Sequence, residues 1–153
     1  MKTKTVEILA RGVCVKRGRL LLCHTQGADN TYLPGGHVEF GEPARSSLAR
    51  EIQEELGLTA RIGRFLGAAE HVFAQKGEPH AEINLVFAMS VAGVRADRAP
   101  RSCEKHIDFL WADMTDLDAA RLEPALLRRM LPAWLDNSAS ERWADIPKAQ
   151  KKS

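Results

Sequence analysis

Apolar and polar positions alternate along this chain in blocks that predict a strand-rich domain with two helices. Residues 6–15 are β-branched and small apolar, Arg17-Gly18-Arg19 has the composition of a turn, and residues 20–25 are apolar again, so a hairpin is expected. A polar loop is expected over 26–31 and a short strand over 37–40. Ala44, Leu48, Ala49, Ile52 and Leu56 then recur at helical spacing, with Pro43 suited to the first turn and Gly57 to the residue past the end. Residues 59–73 have strand character broken by Gly63 and Gly67, and 74–79 read as a turn-rich link. The clearest strand covers 81–91. A mobile loop is expected over 92–102, a strand over 107–112, and a helix over 122–135 that begins near Pro124 and kinks or ends at Pro132. Strands on both sides of an internal helix, followed by a last helix, predict an α/β fold with a mixed β-sheet between helices. That domain spans 1–136; the polar tail 137–153 is held only if Trp143 and Ile146 dock.

Composition narrows the classes of function. With 153 residues the chain suits one domain with a sizeable core, and 44% hydrophobic with 27% charged residues is ordinary for a globular protein. A net charge of +2 supplies no basic field for nucleic acid, and the lysines near the end, Lys148, Lys151 and Lys152, read as a solvated terminus. No apolar run has membrane-spanning length and no signal peptide is evident. Cys14, Cys23 and Cys103 are unevenly spaced, which suits reduced thiols in or near strands and a cytoplasmic setting.

The candidate chemistry lies between Gly36 and Leu58. Glu42, Glu51, Glu54 and Glu55 fall within 14 residues together with Arg50, introduced by Leu33-Pro34-Gly35-Gly36. Like charges this close repel, so a hard divalent cation such as Mg²⁺, with Mn²⁺ as a possible substitute, is the natural counter-ion. On a helix, Glu51, Glu54 and Glu55 form a stripe beside the apolar face, and Arg50 sits one turn before Glu54, where it can orient that carboxylate. An ordinary solvated face with intrahelical ion pairs is the competing reading.

The order and spacing match G-x5-E-x7-R-E-U-x-E-E-x-G-U, with U aliphatic, at every specified position. The segment resembles the Nudix box, and the chain is identified as a member of the Nudix hydrolase family. The resemblance implies a Nudix-type α/β/α sandwich and Mg²⁺-dependent hydrolysis of a nucleoside diphosphate linked to another group. It makes Glu51, Glu54 and Glu55 the principal metal ligands, completed by the backbone carbonyl of Gly35. Arg50 would hold the carboxylates, and Glu42 and Gly36 would support the site. The general base is a box glutamate or a glutamate on a later loop, for which Glu104 is the candidate. The family also admits a homodimer.

Substrate choice is less legible. Glu82 and Asn84 share one face of the strand expected over 81–91 and are candidates to read a base edge; an exposed polar strand face is the alternative. His71 and His80 read as surface residues, and Tyr32 and Phe73 as core. Residues 73–76 hold neither the proline nor the tyrosine that mark two subfamilies, for ADP-ribose and for dinucleoside polyphosphates. A small nucleotide, a (deoxy)nucleoside triphosphate, is therefore the favoured substrate. ADP-ribose or a nucleotide sugar is the alternative, and a catalytically silent nucleotide-binding domain a further one.

Overall fold

The computed structural model describes residues 3–148. The first apolar run forms β1 (Val6–Val13), after which the chain bends at Cys14 into β2 (Val15–Lys16) and β3 (Arg19–Thr25). The expected hairpin is therefore short: β2 pairs β3 over two residues, while β1 leaves for another sheet. The next strand, β4 (Gly35–His37), begins two residues before the expected position, because Gly35, Gly36 and His37 pair antiparallel with Arg11, Ala10 and Leu9. Helix α1 covers Ala44–Leu56, between Pro43 in an extended conformation and Gly57 at φ 66°, where a left-handed residue ends the helix.

Gly63 and Gly67 do not break the following strand. They lie where β5 (Ala60–Gln75) shifts register against β6 (Glu78–Val91), so each marks an irregularity in one long strand. The supposed link 74–79 is mostly strand; Lys76 and Gly77, at φ 51° and 77°, form a two-residue turn that suits the twist of a hairpin. A five-stranded mixed sheet follows in the order β4-β1-β6-β5-β8, where β8 is Trp143–Ala144, and β1 runs parallel to β6. The second sheet is β2-β3-β7, with β7 at Ile107–Asp113.

Alternation along the strands separates two cores. Val13, Leu20, Leu22, Leu66 and Val86 pack with Leu127, Leu131 and Trp134 of α2 (Leu127–Leu135). On the opposite face Ala10, Leu21, Cys23, Phe87 and Met89 pack with Leu48, Ile52 and Leu56 of α1. A layer of strands between two helices is the expected mixed α/β arrangement.

Two further expectations are corrected, for the last helix and the 92–102 segment. The last helix starts at Leu127, since Leu122 bridges to Thr31 and the 124–127 segment is a turn; Pro132 lies inside the helix without ending it. The 92–102 segment is pinned: Lys16 Nζ donates to Val94 O at 2.7 Å, Arg19 to Ala96 O at 3.2 Å, and the Trp111 indole to Arg98 O at 2.9 Å. In the tail Ala144 is 1% exposed, Trp143 pairs with Ala68 and its indole donates to Glu70 Oε1 at 2.7 Å, Ile146 is 41% exposed, and Arg142 donates to Leu66 O at 2.8 Å. Cys14 and Cys23 are buried and Cys103 is exposed, all three as free thiols. No helix among the described residues is long and apolar enough to cross a membrane.

Candidate active site

The site is built where β4 meets α1. Gly35 has φ 137°, and a Cβ there would run into the carbonyl of Ala10; a Cβ on Gly36 would run into the Glu51 carboxyl. Two glycines thus let the strand backbone lie directly against the carboxylates of the helix.

Arg50 organises the rim. Its Nε and Nη2 donate to the two oxygens of Glu42 at 2.9 and 3.1 Å, a two-pronged contact. Its Nη1 donates to Glu51 Oε1 at 3.2 Å and Glu54 Oε1 at 3.1 Å. The guanidinium holds Glu42 well below the usual carboxylate range, at about 2. Arg50 and Glu42 together form a charged brace beside the acidic stripe.

The stripe itself is graded in depth. Glu54 is half exposed, Glu51 is mostly covered, and Glu55 is 6% exposed. Helical geometry explains this: Glu55 lies three residues after Ile52 and seven after Leu48, so it turns onto the buried face, while Glu54 lies about 100° away. The three do not reach a common point as they stand; among the described residues no three His, Cys, Asp or Glu side chains are grouped to hold an ion. Glu54 is instead turned onto Arg50.

Glu55 carries the strongest signal. Its Oε2 is buried without a hydrogen-bond partner among the described residues. Burial, with the charge of Glu51 adding, pushes its carboxyl up to about 8, against the opposing pull of Arg11 and the Gly35 backbone. Burial also raises Glu51. An orphaned carboxylate oxygen beside a second raised carboxyl and a glycine backbone is a hard-oxygen donor set that fits a divalent cation. The Glu51 and Glu55 carboxyl oxygens fit that group, with the Gly35 backbone beside Glu55.

On the other side of Gly35 lies a cleft of about 630 Å³, whose lining includes Arg11, Tyr32, His71, Phe73, Glu82 and Asn84. Arg11 stands between the cleft and the carboxylates. Its Nε donates to Asn84 Oδ1 at 3.1 Å, its Nη1 to Leu33 O at 3.1 Å, and its guanidinium lies 5.5 Å from the Tyr32 ring centre. Sequence reasoning missed Arg11, although a charged residue two positions from both Leu9 and Val13 in an apolar strand was a signal. Glu82 and Asn84 are 8% and 2% exposed, so the exposed-face alternative fails. His71 and Phe73 line the cleft and stack with ring centres 4.8 Å apart; burial pushes His71 below its ordinary value. Tyr32 and Phe73 are cleft walls, where the sequence suggested core.

Glu104 is exposed, on a loop tied to the end of α1 by the Cys103 N–H, which donates to the Glu55 main-chain oxygen at 2.7 Å. Its charge is among those that raise Glu55.

A strand–glycine–glycine–helix cradle with buried carboxylates, next to a nucleotide-sized cleft, sits in a mixed α/β sandwich. The model of the NUDIX domain matches residues 5–134, and the chain belongs to the Nudix hydrolase family. It is 37% identical over 62 residues to an ADP-ribose pyrophosphatase of Methanocaldococcus jannaschii, a match that covers 40% of this chain and 35% of that protein. Among solved structures it is similar to a MutT protein from Methanosarcina mazei, with TM-score 0.68 and 22% identity over 92% of this chain and all of that one. A UDP-X diphosphatase aligns with TM-score 0.66 and 20% identity, covering 95% of this chain and 70% of the other.

Proposed function

We propose that this Nudix hydrolase is a Mg²⁺-dependent pyrophosphohydrolase that cleaves the diphosphate linkage of a nucleoside diphosphate joined to another group, with a (deoxy)nucleoside triphosphate as favoured substrate. The observation that supports it is the orphaned Glu55 oxygen beside Glu51 and Gly35, with Arg11, whose charge acts on both carboxyls, lining a cleft. Mg²⁺ bound by Glu51, Glu55 and the Gly35 carbonyl would neutralise diphosphate oxygens and lower the pKa of the attacking water. Glu54, held by Arg50 in the metal-free protein, would be a further ligand of that ion. Arg50, locked on Glu42, keeps the stripe from splaying under its own repulsion. Arg11, fixed by Asn84 and Leu33, presents fixed positive charge to the phosphates. Glu104 is the proton acceptor of the loop side, near enough for its charge to act on Glu55.

A second reading, ADP-ribose or a nucleotide sugar, is favoured by the likeness to the Methanocaldococcus enzyme and by the UDP-X diphosphatase neighbour. The partner in either case is a small nucleotide in the cytoplasm, and a homodimer is compatible with both. Product analysis on nucleoside triphosphates, ADP-ribose and UDP-sugars, with Mg²⁺ and with chelator, tests both. Metal-dependent pyrophosphate from triphosphates supports the first reading, and sugar phosphate from the others supports the second. No turnover of any substrate leaves the catalytically silent binding domain. Glu104→Gln is expected to lower kcat roughly 100-fold with KM little changed; unaltered kcat removes Glu104 as the base.

A further inference from the structure

The cleft has chemically different ends. Near the carboxylate stripe it offers Arg11; two and four residues back along β6 from Val86, the strand partner of Arg11, stand Asn84 and Glu82. Asn84 accepts from Arg11 and donates to Ala69 O at 3.3 Å, so it holds Arg11 while keeping one amide N–H and one lone pair. Glu123 accepts from Arg128 Nη2 at 3.2 Å. His71 lies opposite Glu82 across the β5–β6 pair, with its Nε2 4.0 Å from Glu123 Oε2.

Glu82 is different. It is 8% exposed, lines the cleft, and accepts no hydrogen bond from any described residue. Its oxygens open to the cleft, so a group that fills the cleft displaces their water and must bring donors of its own. Two syn oxygens are matched by two parallel N–H groups. Among the common bases only the guanine edge sets a ring N–H beside an exocyclic amino group. Hypoxanthine keeps the ring N–H alone, uracil flanks its N–H with carbonyls, and adenine and cytosine set their amino group beside a ring acceptor that would face the second oxygen. The Phe73 ring is stacked on both His71 and His80, at 4.8 and 5.1 Å, and stiffens the wall next to this point.

We propose that Glu82 selects the base, taking the paired donors of a guanine-type edge, so that guanine nucleoside diphosphate derivatives are the preferred substrate class. This rests on the reading of the protein as a nucleotide pyrophosphohydrolase. The test compares kcat/KM for GTP, ITP, ATP and UTP, and for GDP-mannose beside ADP-ribose, in the wild type and in Glu82→Gln. The sugar-linked pair reads the base preference even if a sugar phosphate is the leaving group. The wild type is expected to prefer GTP over ITP at least about tenfold, since ITP lacks one of the two donors. Glu82→Gln, which offers a donor beside an acceptor, is expected to lose roughly 100-fold on GTP while ITP changes by less than about threefold. Equal turnover of GTP and ITP by the wild type overturns the role of Glu82 and leaves the hydrolase reading standing. A uniform loss on all substrates in Glu82→Gln overturns it too, by showing a structural role; if that variant does not fold, the wild-type GTP to ITP ratio decides. No metal-dependent turnover of any of the six removes the hydrolase reading, and this proposal with it.

Discussion

Replacing Glu55 by Gln should stabilise the metal-free protein, and only above the pH at which an ordinary carboxyl ionises. The carboxyl titrates at about 8 in the fold against 4.5 for the free group, with burial the largest cause. Between those values the folded state holds a proton that the unfolded chain has lost, so stability falls as pH rises, by about 1.4 kcal/mol per pH unit. The full penalty is therefore present above pH 8 and absent below pH 4.5. Its upper bound is about 5 kcal/mol, and relaxation around the buried charge brings the expected effect to about 2–3 kcal/mol. Urea unfolding in EDTA at pH 5, 7 and 8.5 measures it. Near pH 5 the protonated wild type and the Gln variant should be alike; at pH 8.5 the variant should be more stable by that amount, with every other titrating group cancelling in the difference. Mg²⁺ should reverse the order, stabilising the wild type and leaving the variant unmoved. A difference between the two proteins that stays flat from pH 5 to 8.5 refutes the reasoning, because it would mean that Glu55 is neither buried nor unpartnered.

Gly36→Ala places a methyl group against the Glu51 carboxyl, and should weaken Mg²⁺ binding roughly 10–100-fold in an activity-versus-metal titration, with a small change in melting temperature. Arg11→Ala removes the charge fixed between Asn84 and Leu33; KM for nucleotide should rise about tenfold or more, and Arg11→Lys should recover only part of it, since a single ammonium cannot keep both contacts. Trp134→Ala empties a fully buried site that packs against Gly67 and donates to Glu141 O at 2.9 Å, and should cost about 3–5 kcal/mol in denaturant unfolding.

The box helix was legible in the sequence because its signals are local: Pro43, Gly57 and the period of Leu48, Ile52 and Leu56 all act within one element. The Arg50–Glu54 pair was legible for the same reason; the Arg50–Glu42 contact, which reaches outside the helix, was not. What was hidden depends on partners far along the chain. Whether Gly63 and Gly67 interrupt a strand or bulge within it is decided by β6, which holds β5 in register on either side. The start of β4 is set by β1, more than twenty residues away. The depth of Glu82 and Asn84 follows from strands on both sides of β6, which alternation alone cannot report. Arg11 escaped notice because its meaning comes from Asn84 and Leu33. The carboxylate stripe was read as uniform although the spacing of Glu55 from Leu48 and Ile52 already turned it toward the apolar face.

Diffraction at the manganese edge, from crystals grown without metal and soaked in Mn²⁺, tests the central claim most directly. The account predicts an anomalous peak shared by Glu51, Glu55 and the Gly35 carbonyl, with Glu54 drawn away from Arg50. A peak elsewhere, with the Glu51 and Glu55 oxygens uninvolved, would contradict it.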